Sequence, residues 1–116
     1  MKTLIFFAIC LFSLAFILWR SRRAASLDYN SVDAIIPAYN EEPCLAESLR
    51  GLLINPYIKN VICVNDGSTD NTEKVLEKLK TIWGDRLIAI NQKNTGKGGA
   101  LMNGLNYVTS PYVFLT

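Results

Sequence analysis

Apolar runs of strand length alternate with stretches of helical spacing from residue 32 to the end of the chain. Val32-Asp33-Ala34-Ile35-Ile36 reads as a first strand, ended by Pro37, whose ring fixes φ and removes a backbone donor. Leu45, Leu49, Leu52 and Leu53 fall on one face of a helix predicted over 42–53 and stopped by Asn55-Pro56. Val61 to Asn65 is an unbroken apolar run closing on an amide, as in a strand buried on both faces. Val75, Leu76, Leu79, Ile82 and Trp83 mark a second helix closed by Gly84, and Asp70 with Glu73 resembles a capping box at its start. Leu87 to Ile90 is a third strand. Leu101, Leu105 and Val108 mark a third helix after a run of glycines, and Tyr112 to Leu115 is a fourth strand. The order β-α-β-α-β-α-β predicts right-handed crossovers in a parallel sheet.

Ahead of these elements lies a different kind of sequence. Thr3 to Trp19 holds no charged residue over 17 positions, at the short end of what crosses a bilayer. Lys2 precedes it, and Arg20, Arg22 and Arg23 follow. The absence of a clear small-x-small cleavage site favours a retained transmembrane helix over a cleaved signal. The arginines after the span place the rest of the chain on the cytoplasmic side of the inner membrane, against anionic lipid. The expected organisation is an anchor and basic flank over 1–24, a linker over 25–31 and a single α/β unit over 32–116.

Charge and composition narrow the chemistry. The overall formal charge of +2 belongs to the membrane flank, because residues 28–116 carry eight basic residues against all ten acids. A net −2 without a clustered basic face excludes a nucleic-acid surface. Three cysteines, one in the apolar run, one in a predicted helix and one in a predicted strand, do not make a disulfide framework and fit a reducing compartment. There is no histidine, so imidazole bases, histidine triads and histidine-ligated zinc are excluded.

Three polar motifs follow the first, second and third strands. Pro37-Ala38-Tyr39-Asn40-Glu41-Glu42 places acids where a helix opens, favourable to its dipole, with Glu41 able to face a crevice. Asn65-Asp66-Gly67-Ser68-Thr69-Asp70 suits an Asx turn and helix cap, but it also delivers a carboxylate to the sheet's C-terminal edge. A dehalogenase-type nucleophile is excluded because Val64 stands two residues before Asp66. A calcium loop is disfavoured because Asn71 replaces its sixth-position glycine. The third motif is Asn94-Thr95-Gly96-Lys97-Gly98-Gly99-Ala100-Leu101-Met102-Asn103-Gly104. Gly98 follows Lys97 where a Walker A loop needs Ser or Thr, and Leu101 fills the last glycine place of a dinucleotide fingerprint. What remains is a lysine among glycines at a helix start, a natural anion site.

Taken together, these motifs resemble the family 2 glycosyltransferases, whose catalytic domain has the nucleotide-sugar-binding GT-A fold. Pro37 to Glu41 is similar to the family's first motif, and Asn65 to Asp70 to its D-G-S-x-D element. Gly96 to Gly104 is similar to its G-K-x-x-A-L-N-x-G element, with Met102 inserted. The anchor resembles that of membrane polysaccharide synthases of the poly-N-acetylglucosamine, chitin and hyaluronan types. The resemblance implies a Rossmann-like GT-A sheet whose first strand lies beside the fourth. It implies substrate contacts from Pro37, Ala38, Tyr39, Glu41, Asp66, Gly67, Lys97 and Gly98, with Asp66 accepting the uracil N3–H of a UDP-hexose or UDP-N-acetylhexosamine. It also implies a glycan acceptor, membrane lipid and the rest of a longer enzyme as partners.

The family's D-x-D motif, which binds the divalent cation, would begin at about Thr116, and no D-x-D occurs elsewhere in the chain. The family's base carboxylate and its Q-x-x-R-W motif are absent too. The expectation is therefore a truncated, nucleotide-binding half of a hexosyltransferase. It would carry no catalytic residue and no metal ligand of its own and be inactive alone, with Mg or Mn serving the complete enzyme. A non-catalytic small membrane protein, binding a nucleotide or completing a separate half, is the alternative.

Overall fold

A computed structural model of the chain describes residues 11–15 and 28–116. Residues 11–15 are helical and exposed, while the rest of the predicted anchor and its arginines lies outside the described residues. Among the described residues no helix is long and apolar enough to cross a membrane. The end of the predicted linker is docked to the sheet. The Asn30 N–H donates to the Pro56 carbonyl at 3.0 Å, and the Tyr29 and Tyr57 rings stack 5.2 Å apart.

The elements run β1 (Val32–Ala38), α1 (Leu45–Leu53), β2 (Ile58–Asp66), α2 (Thr72–Trp83), a short 3-10 turn (Gly84–Arg86), β3 (Leu87–Gln92), α3 (Gly96–Leu105) and β4 (Tyr112–Leu115). All pairings are parallel and the sheet order is β3-β2-β1-β4. The chain thus steps outward from β1 to β3 and then returns to the other side of β1. That reversal, between β1 and β4, is where open α/β sheets leave a crevice at their C-terminal edge.

Alternation along the strands sorts the core. Ala34 and Ala38 of β1, with Val61 and Cys63 of β2, face α1 and α2, whose Leu45, Leu49, Leu53, Leu76 and Leu79 are buried against them. Burial of each such leucine contributes roughly 1.5–3 kcal/mol. Ile35, Ile62 and Val64 point the other way and pack under Ala100 and Leu101 of α3. The Cys63 thiol, in this dry interior, is pushed up to about 12 and stays neutral.

Buried Asp33 ties β1 to the connection that leads into the edge strand β4. Its carboxylate accepts from the Thr109 and Ser110 N–H groups, at 2.9 and 3.2 Å, and from Ser110 Oγ at 2.7 Å. The α3–β4 connection is thereby pinned beneath β1.

Several element boundaries differ from those the sequence predicts, each for a physical reason. β1 runs through Pro37 to Ala38. Ser31 and Ile35 direct their carbonyls to β4, so Pro37, of the same parity, lacks its N–H on that side, beyond Leu115 where the β1–β4 register stops. α1 starts at Leu45, because the Glu42 N–H and carboxylate are bonded to the Asp70–Asn71 turn. At α2, no side-chain bond caps the helix from Asn71, and the backbone N–H that Asp70 accepts from within its own segment is that of Thr72, two residues on and not three, so the capping box is replaced by an Asx turn. β2 and β3 run longer than their apolar runs, and β3 includes Asn91 and Gln92, whose side chains find polar partners at the sheet edge.

Candidate functional site

Where β1 and β4 diverge, a cleft of about 360 Å³ opens at the C-terminal edge of the sheet. β1 brings Ile36, Pro37 and Ala38 to its floor. The turn after β1 adds Tyr39 and Glu41, α1 adds Leu45 and Ser48, β2 adds Asp66, and Lys97 and Thr116 close the rim. Six of the residues singled out from the sequence therefore meet here: Pro37, Ala38, Tyr39, Glu41, Asp66 and Lys97. Tyr39 is 48% exposed over a buried Ala38, a flat aromatic surface beside a small floor residue.

Gly67 and Gly98 are not in the cleft lining. Gly67 has φ 68°, and a Cβ there would sit 2.6 Å from the Asn94 backbone N. Its role is to let the β3–α3 loop approach the end of β2. Gly98 lies in the first turn of α3 with open space around it.

Asp66 is 4% exposed and heavily bonded. Its Oδ1 accepts from Gln92 Nε2 at 2.9 Å, from the Thr95 N–H at 2.8 Å and from Thr95 Oγ1 at 3.4 Å. Its Oδ2 accepts from the Gly96 N–H at 2.9 Å. The Gln92 amide and the Thr95 N–H, followed by the Gly96 N–H, hold the carboxyl below the usual aspartate range against the opposing effect of desolvation. One carboxylate thus joins β2 to the start of α3, and it stays ionised at neutral pH.

A second network joins the first motif to the second. Asn40 adopts φ 50°, and its Oδ1 accepts from the Thr69 N–H at 2.8 Å and the Asp70 N–H at 3.4 Å. The Asn40 N–H donates to Ser68 Oγ at 3.0 Å, and the Glu41 N–H to Thr72 Oγ1 at 3.1 Å. Glu42 accepts from Asn71 through both carboxylate oxygens, at 3.1 and 3.2 Å. Asp70 accepts from Thr72 through both hydroxyl and N–H, and these hold its carboxyl low. The polar letters of both motifs are therefore largely spent on each other. Of the turn after β1, the side chains that line the cleft are Tyr39 and Glu41.

Lys97 sits in the first turn of α3, whose positive dipole end and glycine-rich backbone favour an anion. Gly99 is required there, because a Cβ would strike Thr95 Oγ1. The arrangement can seat a planar ring against Tyr39, accept an N–H at Asp66 and face an anion with Lys97. It does not fit a divalent cation. Among the described residues no three histidine, cysteine or acidic groups converge, and the Asp66 oxygens face N–H donors.

Sequence reasoning missed Gln92 and Ser48, and gave Asn103 as part of the third motif without a role. Gln92 stands opposite Asp66 in the β2–β3 register, and the two-residue polar tail of an apolar run was the available signal.

The chain matches Glycosyl transferase family 2 over residues 33–116. It is 62% identical over 119 residues to the uncharacterized glycosyltransferase YaiP of Escherichia coli strain K12, covering all of this chain and 29% of that protein. It is 31% identical over 87 residues to the poly-beta-1,6-N-acetyl-D-glucosamine synthase of Staphylococcus aureus strain COL, covering 74% of this chain and 21% of the synthase. Among solved structures it superposes on the mannosyltransferase PcManGT from Pyrobaculum calidifontis in complex with GDP-Man and Mn2+. The TM-score is 0.62 at 25% identity, over 82% of this chain and 32% of that one. The chain spans less than a third of the length of each of these relatives. With its α/β architecture, its crossover crevice and its three motifs at one sheet edge, the chain belongs to glycosyl transferase family 2.

Proposed function

We propose that this chain is the nucleoside-binding part of a membrane-anchored hexosyltransferase that takes a UDP-sugar, a UDP-hexose or UDP-N-acetylhexosamine, and serves glycan synthesis. The uncharged run Thr3–Trp19 and its following arginines supply the anchor, with the sheet on the cytoplasmic side. Tyr39, Ala38 and Pro37 seat the base, Glu41 lies toward the ribose, and Lys97 faces the diphosphate. Among the described residues no three metal-ligating groups converge, and the reading assigns the cleft residues the binding of the nucleotide. In the complete enzyme, Mg or Mn and the acceptor-activating base come from outside the described residues.

The occupancy of Asp66 carries the preference for uracil. Each carboxylate oxygen offers about two acceptor directions. Oδ1 already takes three donors and Oδ2 takes one. One acceptor direction on one oxygen suits a single N–H, as uracil presents at N3. Guanine presents two N–H groups side by side and calls for both oxygens.

Calorimetry with the wild-type chain tests this without any mutation. UDP is expected to bind at least about tenfold more tightly than its N3-methyl analogue, the loss typical of one charge-assisted hydrogen bond. GDP should bind more weakly than UDP. Equal affinity for UDP and N3-methyl-UDP overturns the assignment of Asp66 as the base acceptor.

A further inference from the structure

We propose that Gln92 is a positioning residue for nucleobase recognition: its side-chain amide occupies Asp66 Oδ1 and ties it to α3, so that Oδ2 alone is presented to the ligand. The proposal rests on the reading of Asp66 as the base acceptor. Gln92 ends β3 and pairs in register with Asp66 at the end of β2. An ionised carboxylate accepts only, so the NH2 end of the amide must face it. Nε2 donates to Asp66 Oδ1 at 2.9 Å and to Thr95 Oγ1 at 2.9 Å. Oε1 accepts from Asn103 Nδ2 at 2.6 Å. Both amide ends are engaged, and they join three elements: the carboxylate on β2, the loop that starts α3, and the body of α3 itself.

The alternative is a structural staple with no bearing on the ligand. Changing the charge at residue 92 separates the two. In Gln92→Glu, a carboxyl would stand about one hydrogen-bond length from the Asp66 carboxylate. Two acids at that distance hold one proton between them to a higher pH than either would alone. While the pair is singly protonated, the introduced carboxyl can donate to Asp66 Oδ1 as the amide does. Once both ionise, they repel, and Asp66 turns away from its bonded position. UDP affinity of the variant, taken relative to wild type at each pH, should therefore fall as pH rises. The ratio removes the ionisation of the UDP terminal phosphate, which both proteins meet alike, and in wild type Asp66 itself stays ionised throughout. Gln92→Met keeps the length of the side chain and removes the donors, and it should weaken UDP at every pH.

The experiment is calorimetric titration of the full chain with UDP from about pH 5 to pH 8, a window lying above the ordinary aspartate range. It covers wild type, Gln92→Glu and Gln92→Met, each checked for a cooperative melt. The expected result is a ratio of Gln92→Glu to wild-type affinity that falls with pH, and roughly a tenfold loss for Gln92→Met relative to wild type. A level ratio for Gln92→Glu, or wild-type affinity in Gln92→Met, overturns the proposal. If wild type does not bind UDP, the uridine reading fails and the proposal, which rests on it, falls with it. Wild-type binding with unmoved variants overturns the proposal alone.

Discussion

At the scale of single residues, the polar letters of a ligand-binding motif divide between contact and support, and Asn40 shows how. Its backbone, at φ 50°, is held in a conformation that costs a non-glycine residue roughly 1–2 kcal/mol. The Asn40 Oδ1 offsets this by accepting from Thr69 and Asp70 and so linking the two turns. Glycine would relieve the backbone but lose the link, whereas alanine would lose the link and keep the strain. Asn40→Ala is therefore expected to destabilise the chain by about 1 kcal/mol more than Asn40→Gly, from the backbone term alone. Urea midpoints at constant slope measure the difference. Equal midpoints would mean that the turn relaxes and stores no strain. The sequence shows that Asn40 belongs to a motif, but not that it supports rather than contacts. That distinction depends on the chain folding back to place Ser68, Thr69 and Asp70, 28 to 30 positions further on, beside it.

At the scale of elements, apolar spacing alone locates all four strands and all three helices between residues 32 and 116, because period two and period 3.6 are local signals. It fails at the ends, where polar residues of distant elements set the boundary. β3 continues through Asn91 and Gln92, and α1 begins only after Glu42 has bonded elsewhere. The glycines of the helices are equally silent in the sequence, since two of them do opposite work. Gly51 in α1 is exposed, and a Cβ there would meet nothing within 4 Å, whereas a Cβ on Gly104 would meet Ile35 Cγ2 at 2.5 Å. Alanine has about 1 kcal/mol better helix propensity at either place. At Gly51 that gain is unopposed, so Gly51→Ala should raise the thermal midpoint. At Gly104 the crowding of a fully buried isoleucine costs roughly 1–3 kcal/mol and outweighs it. Gly104→Ala should lower the midpoint and loosen α3, which carries Lys97. Parallel melting curves check both, and a stabilised Gly104→Ala would show that α3 does not depend on close contact with β1.

Across the whole molecule, three carboxylates hold the sheet's connections, and their protonation sets the acid limit of the fold. Asp33 pins the α3–β4 connection beneath β1, Asp66 pins the start of α3 to β2, and Asp70 pins the second motif to the first. Desolvation works to raise the Asp33 carboxyl, but the Thr109 and Ser110 donors outweigh it and leave it lowered. Asp66 and Asp70 are lowered chiefly by Gln92 and Thr72 respectively. For each group the folded chain binds its proton less readily than the unfolded chain, whose carboxyls titrate near the ordinary value of 3.8. The unfolded state therefore takes up more protons as pH falls through that region, and stability must rise with pH there. The contribution is fully present above the unfolded value and is lost as pH drops through 3.8 toward the lower folded values. These groups predict a thermal midpoint that is level from neutral pH down to about pH 5 and then falls steeply. Asp33→Asn should flatten that fall, because an amide has no charge to lose, and it should also lower the midpoint at neutral pH, where the four donors from Asn60, Thr109 and Ser110 stabilise the carboxylate. A midpoint that declined steadily from pH 7, or an acid limb unchanged in Asp33→Asn, would place the acid sensitivity elsewhere.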